Sequence, residues 1–216
     1  MNSLFSSFDA NGMLNWVVPL LGPVLMICPS YWVVKGNLNQ FLHSLISAVY
    51  SDIKILFSEG GGFVFISLFT SVFMMNFLGL FPYIFTSTSH ICISLGLGLP
   101  LWLGSQLVFW IFHSEAGFSH LVPEGSPSGL IPLLVLIELI SNLIRPLTLS
   151  VRLMANMVAG HLLLSLIGGG ASLDSLMIVM LVLFGLFMML MLELGVSLIQ
   201  SYVFMLLSAL YVKDTL

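Results

Sequence analysis

Four side chains that can carry charge lie within one strongly apolar stretch, residues 136–161. They are Glu138, Arg145, Arg152 and His161, and both arginines of the chain are among them. An arginine near the middle of a bilayer costs roughly 2.5–3.5 kcal/mol on insertion scales, so it normally faces protein or a water-filled cavity. An aqueous loop is the alternative setting, but the continuous apolar sequence on both sides favours burial in the membrane.

The spacing of these residues predicts one polar stripe along a helix. Glu138, Arg145 and Arg152 are seven residues apart, and Asn156 follows four residues later. At 3.6 residues per turn, the four side chains fall within about 40° of one another. His161, nine residues after Arg152, points to nearly the opposite side. The helix is therefore expected to present ionisable groups to two separate places.

The last apolar segment carries a second polar stripe. Glu193, Ser197 and Gln200 are spaced at i, i+4 and i+7, Tyr211 returns to the same face, and Asp214 follows near the end. A glutamate within a membrane span is functional by default. The alternative is a neutral, hydrogen-bonded Glu193 that holds two helices together.

Composition restricts the class of protein that can hold these stripes. The chain is 59% hydrophobic and 6% charged, with a mean hydropathy of +1.14, which excludes an ordinary soluble domain. Continuous apolar runs without alternation predict an all-α membrane protein rather than a barrel. The net charge of -4 is thinly spread, so nucleic-acid binding has no electrostatic basis. Cys28 and Cys92 lie in apolar runs, which indicates packing rather than a disulfide or metal site, and no cofactor is expected.

The elements that must position the stripes form a single membrane domain over residues 1–216, with about five membrane-crossing helices. The predicted segments are a first span at 13–34, an interfacial amphipathic helix at 38–57, a helical hairpin at 63–85 and 91–112, and two long helices at 130–167 and 173–212. The second segment has one apolar and one polar face, so it should lie in the interface plane. His43 on its polar face is expected to be solvated, and Asn76 in the next span to hydrogen-bond between helices rather than to transport.

The two long segments are about twice as long as a span needs. At 1.5 Å per residue each would reach nearly 60 Å as one helix, whereas the hydrocarbon core is about 30 Å thick. Either each breaks into two spans, or each lies steeply inclined. Because no polar turn interrupts them, we predict two long inclined helices that form a hairpin.

The lysines predict the orientation. With five crossings, Lys35, Lys54 and Lys213 all fall on one side, and Asp9 and Asp174 on the other. By the positive-inside rule, the N-terminus faces the outer compartment and the C-terminus the inner one.

Proton transfer is the chemistry that these residue types favour. Imidazole and buried carboxyl groups exchange protons near neutral pH, so His161 and Glu193 are the candidate carriers. A guanidinium stays protonated, so Arg152 is expected to be a fixed charge that drives the proton off a nearby carboxylic acid and blocks direct leak. No carrier carboxylate on a glycine-rich hairpin is visible in the chain, so a partner must supply it.

The residues around Arg152 resemble those of a known family. The run Leu149-Ser-Val-Arg152-Leu-Met-Ala-Asn156-Met-Val-Ala-Gly-His161-Leu-Leu, with Glu138 upstream, is similar to subunit a of the rotary F-type ATP synthase, in its mitochondrial form in particular. Four further runs match that family's pattern: Asn76-Phe-Leu-Gly-Leu-Phe-Pro82, Pro100-Leu-Trp102, His120-Leu-Val-Pro123 and Gln200-Ser-Tyr-Val-Phe.

The resemblance implies a proton-translocating stator subunit that is no enzyme on its own. It implies that Arg152 faces a ring of c subunits, that Gln200 faces Arg152, and that His161 and Glu193 line a half-channel from the intermembrane space. The resemblance also implies that Glu138 and Asp214 line a matrix half-channel. Asn156 and Ser197 are expected to form polar lining of the proton path. Arg145 is expected to meet lipid headgroups or Glu138.

The implied partners are the c-ring, which supplies the carrier carboxylate, the peripheral stalk and other membrane subunits, and the lipid bilayer. The implied location is the mitochondrial inner membrane, with the N-terminus on the intermembrane side and the C-terminus in the matrix. The alternative is a proton-conducting, antiporter-like subunit of a respiratory complex, although that class usually depends on intramembrane lysines. A small-molecule transporter would have two similar halves, and no such repeat is visible; a self-contained enzyme is least favoured.

Overall fold

The described part of the chain is predominantly helical. The computed structural model describes residues 8–9, 17, 36–57, 61–81, 84–112, 114–115, 117, 121–122, 127–170 and 176–215. Within these ranges it contains five long α-helices and no β-strand, which confirms the all-α prediction. Apart from Val17, the predicted first span at 13–34 lies outside the described residues.

The helices follow one another in chain order. They are α1 Asn37–Leu56, α2 Gly62–Gly79, α3 Ile91–Phe112, α4 Ile131–Gly169 and α5 Leu176–Thr215. Short 3-10 turns at Ser87–Ser89 and Ser128–Leu130 precede α3 and α4. Helices α2 to α5 are long and apolar enough to cross a membrane, as expected for a polytopic membrane protein.

Helix α2 is shorter than the span that its apolar sequence suggests. It ends at Gly79 rather than near residue 85. Pro82 has no backbone N–H to continue a helix, and proline disfavours helical geometry at the residue before it. The apolar run therefore continues after the helix has ended.

Helices α4 and α5 are single elements of 39 and 40 residues. The alternative in which each breaks into two spans is therefore wrong. Each is about 60 Å long at 1.5 Å per residue, twice the thickness of the hydrocarbon core. Their steep inclination stays a prediction that follows from this length.

The amphipathic helix α1 packs against two membrane helices. Its buried side chains Val49 and Ile53 join a core cluster with residues of α2 and α5: Phe65, Phe69, Met205 and Ala209. A Cβ at Gly62 would lie 2.9 Å from Ile53 Cγ2, so the glycine permits the close approach at the start of α2. A second cluster joins α2, α4 and α5 through Val72, Leu149, Leu153 and Phe204.

Candidate functional site

The two long helices run antiparallel and bring their polar stripes together. Asn156 of α4 bonds to Gln200 of α5, Gly160 lies against Glu193, and Gly185 lies near Ile167. Residue numbers rise along α4 as they fall along α5, which defines the antiparallel arrangement. Positions 44 residues apart in the sequence therefore meet in one place.

Five polar residues from three helices form what we call the central polar cluster. It consists of Asn76 on α2, Asn156 on α4, and Glu193, Ser197 and Gln200 on α5. They line a cavity of about 10 Å³, which is about the space of one water molecule. The Asn156 Nδ2 donates a hydrogen bond of 3.0 Å to Gln200 Oε1. This bond aligns residue 156 of α4 with residue 200 of α5.

Most polar atoms of the central polar cluster have no hydrogen-bond partner within the described part of the chain. These atoms are both amide atoms of Asn76, both carboxyl oxygens of Glu193 and the Nε2 of Gln200, and all of them are buried. Buried polar groups are destabilising unless they are hydrogen-bonded. Ser197 differs, because its hydroxyl donates 2.8 Å to the Leu194 carbonyl. The cluster thus offers donors and acceptors to water or to a transferred proton.

Glycine at position 160 sets the place of the Glu193 carboxyl group. A Cβ built at Gly160 would collide with Glu193 Oε1 and lie 3.1 Å from its Cγ. The carboxyl therefore occupies the space that any other side chain would fill. His161, the next residue, does not hydrogen-bond to Glu193, and its Nε2 is also buried without a partner in the described ranges.

Arg152 lies on the exposed surface of α4. It makes no hydrogen bond or ion pair with any described residue. Large apolar side chains around it on α4 are exposed too, among them Leu147, Val151 and Leu163. A permanent cation on an apolar membrane surface needs a partner or water. The predicted pairing of Arg152 with Gln200 stays a prediction, since Gln200 meets Asn156, one turn further along.

A larger cavity lies at the other end of the α4 stripe. We call it the Glu138 cavity; it has a volume of about 360 Å³. Its lining residues come from α3, α4, α5 and the α3–α4 connection: Trp102, Gln106, Phe109, Trp110, Gly117, Leu121, Glu138, Asn142, Arg145 and Tyr211. The Arg145 guanidinium carbon lies 5.6 Å from the centre of the Tyr211 ring. A cation over an aromatic face is attracted by the ring quadrupole, so Arg145 has a protein partner as well as Glu138 nearby. The side chain of Asp214 lies outside the described residues, although its backbone belongs to α5.

Arg152 lies between the two polar regions along α4. It is seven residues from Arg145 in the Glu138 cavity and four from Asn156 in the central polar cluster, or about 10 Å and 6 Å along the helix axis. The stripe from Glu138 to Asn156 thus connects a wide cavity, an exposed cation and a narrow cluster, in that order.

Asn76, Gln106 and Asn142 contribute to these regions but were not expected as site residues. The signal for Asn76 was a single amide within an apolar span, which we interpreted as a helix-to-helix contact. Asn142 follows Glu138 by four residues, so its place on the stripe could have been inferred from spacing. Gln106 had no such signal, because only the fold brings α3 beside α4.

Known proteins match this chain over nearly its full length. A family model described as ATP synthase A chain matches residues 13–213. The chain belongs to the ATP synthase A chain family. It is 48% identical over 222 residues to the ATP synthase subunit a of Drosophila yakuba, which covers 99% of both chains. It is 46% identical over 224 residues to that of Anopheles gambiae, again over 99% of both chains. It is 43% identical over 219 residues to that of Artemia franciscana, which covers 99% of this chain and 100% of the relative.

Membership of this family confirms the predicted resemblance. Together with the four long apolar helices, it makes the chain a multi-pass membrane subunit in the proton-transporting part of an ATP synthase. It also excludes the antiporter-like alternative, since the family model matches residues 13–213 of the chain.

Proposed function

We propose that the chain is the stator subunit that couples proton flow to the rotation of a ring of c subunits. The observation that carries this proposal is the exposed Arg152, which bonds to no described residue and lies between two separate polar regions of one helix pair. A stator needs an entry path, an exit path and a barrier between them. The central polar cluster, the Glu138 cavity and Arg152 are suited to these three roles.

The exposed apolar surface of α4 and α5 is the proposed contact with the c-ring. Arg152 offers that surface one fixed positive charge, and a fixed cation favours the ionised form of a nearby carboxylic acid. A carboxylic acid carried by the ring would lose its proton on reaching Arg152. The neutral form crosses the lipid more easily, because hydrocarbon penalises charge. A proton therefore reaches the other side of Arg152 on the rotating ring and not by a direct path past the arginine.

Protons enter, in this proposal, by His161 and Glu193 from the intermembrane space and leave by Glu138 and Asp214 to the matrix. The lysine distribution supports this orientation in the mitochondrial inner membrane. Each proton that crosses yields about 2.3 kcal/mol per 100 mV of membrane potential. Several crossings must therefore be combined mechanically to make one ATP.

The central test is Arg152→Ala in the complete complex, reconstituted in liposomes. ATP-driven proton pumping should be abolished, whereas passive proton leak should rise because the fixed charge no longer blocks it. Lys54→Ala removes one exposed positive charge that lies on α1 rather than on α4 or α5, and it should leave both readings unchanged. Normal proton-coupled ATP synthesis by the Arg152→Ala complex would refute the proposal.

A further inference from the structure

A second histidine lies close to the one that the proposed entry path uses. His90 directly precedes α3 and is half-buried. Its Nε2 lies 3.1 Å from the carbonyl oxygen of Phe8. A carbonyl oxygen can only accept, so the Nε2 of His90 carries a hydrogen and donates it. Protonation and deprotonation of this imidazole then take place at Nδ1.

Phe8 contacts both imidazoles. Its ring meets the His161 ring edge-to-face, with centroids 6.3 Å apart and planes at 87°, while its carbonyl accepts from His90. The Nε2 of His161 is buried and bonds to no described residue. Residue 8 therefore bridges two half-buried histidines, and the Nε2 of one of them, His161, lacks a partner among the described residues.

The packing of α3 against α4 places the two histidines at the same end of the bundle. Gly98 lies beside Leu149, and Trp110 shares a cavity with Glu138, so these helices are antiparallel. Helix α3 begins seven residues before Gly98. Because the helices are antiparallel, this start lies level with a position about seven residues after Leu149, near residue 156 of α4. That level is only about 8 Å along the helix axis from His161.

The turn before His90 is rich in buried hydroxyl groups. Thr86, Ser87, Thr88 and Ser89 are all buried, and the turn packs against α2, α3 and α4. The Thr86 hydroxyl donates 3.1 Å to Ser89 Oγ, which donates 2.6 Å to the Thr86 carbonyl. The Ser87 Oγ bonds to no described group. Hydroxyls both donate and accept, so the turn can order water beside His90.

We propose that His90 is a further proton-transfer residue, which delivers protons to His161 past the side chain of Phe8. Neutral His90 takes a proton at Nδ1 from the aqueous side and becomes imidazolium. It returns that proton to a water molecule, which passes one of its own to His161, and His90 is neutral again. Histidine suits this step because an imidazole can both accept and release a proton at its ring nitrogens. The inference rests on the proposed function, because it extends the entry path of that function.

The test uses His90→Ala in the complete complex, reconstituted in liposomes. ATP synthesis driven by a proton gradient should fall by at least about tenfold, within the range of a lost acid–base group. Added imidazole should restore most of the rate, because it can occupy the space and carry the proton. Thiazole has a similar shape but is too weakly basic to carry a proton at neutral pH, and it should not restore the rate. His43→Ala, at an exposed histidine on α1, is the matched control and should be normal.

The outcomes separate this inference from the proposed function. A normal rate in His90→Ala, with a strong loss in His161→Gln, would overturn the role of His90 and leave the stator function standing. A loss that imidazole does not restore would also overturn it, since a structural defect would be the cause. Failure of the Arg152→Ala test would refute the stator function itself.

Cys92 provides an independent measure of the side on which His90 lies. It is exposed and follows His90 by two residues. In a Cys28→Ser background, a membrane-impermeant maleimide should label Cys92 from the compartment that supplies the protons during gradient-driven ATP synthesis. Labelling from the opposite compartment only would overturn the inference, because His90 and the entry path would then face different sides.

Discussion

The central polar cluster and the Glu138 cavity serve the same helix pair but differ in size and in the state of their polar atoms. The first has room for about one water molecule, and the second has a volume of about 360 Å³. In the first, two carboxyl oxygens are buried and lack described partners. In the second, the described lining includes one cation, Arg145, which lies over an aromatic ring. A narrow path depends on each group in it, whereas a wide cavity can use water in place of a lost side chain.

The strongest test of the difference between the two regions is to replace the carboxyl group in each of them by an amide. Glu193→Gln should lower gradient-driven ATP synthesis by about 100-fold, since the narrow cluster loses its only described carboxyl group. Glu138→Gln should lower it by less than about tenfold, because water in the larger cavity offers other routes. The rates are measured on complete complexes in liposomes at equal potential. Equal losses in the two variants would contradict the difference between the regions.

Gly160→Ala tests whether the position of the Glu193 carboxyl matters as well as its presence. The new methyl group would collide with that carboxyl, which is the flexible end of its side chain and can move aside. We expect assembly to survive and the rate of ATP synthesis to fall by about tenfold, as for a misplaced acid–base group.

Gly185→Ala is the matched control on the same helix pair. Its Cβ would make an ordinary contact of 3.7 Å with Ile167, and the exchange of glycine for alanine within a helix is favourable by about 1 kcal/mol. Both variants are compared by complex yield and by rate. An unchanged rate in Gly160→Ala would show that the carboxyl position is not critical.

Asn76→Leu separates a structural role of this amide from a role in transport. The sequence favoured a hydrogen bond between helices, but neither amide atom has a described partner. If Asn76 serves transport, the variant should lower the rate several-fold, and the thermal stability of the complex should not fall, because removing unsatisfied buried atoms is neutral or stabilising. A loss of stability of about 1 kcal/mol or more, with an unchanged rate in the assembled fraction, would support the structural role.

The sequence was sufficient to predict where most of the described helices lie, but not which side chains from different helices contact one another. Apolar run length gave α3 to within a residue, and the spacing of Glu193, Ser197 and Gln200 gave their common face. The end of α2 at Gly79 was missed, because the apolar sequence continues beyond the point at which Pro82 disfavours further helix. The contact of Phe8 with His90 and His161 joins residues far apart in the chain. No periodicity within one helix can predict such a contact.

The smallest expected effect concerns Arg145 in the Glu138 cavity. Tyr211→Leu removes the ring under the guanidinium, and an interaction of this kind contributes about 0.5–2 kcal/mol. Tyr211→Phe keeps the ring and should retain most of that energy. A double-mutant cycle with Arg145→Gln, read out as thermal stability of the complex, isolates the pair. We expect a coupling energy of about 1 kcal/mol and little change in the rate of ATP synthesis, because water in the wide cavity replaces what Tyr211 loses. A large loss of rate in Tyr211→Phe would show instead that the hydroxyl belongs to the exit path. The Glu138 cavity would then depend on single groups as much as the central polar cluster does.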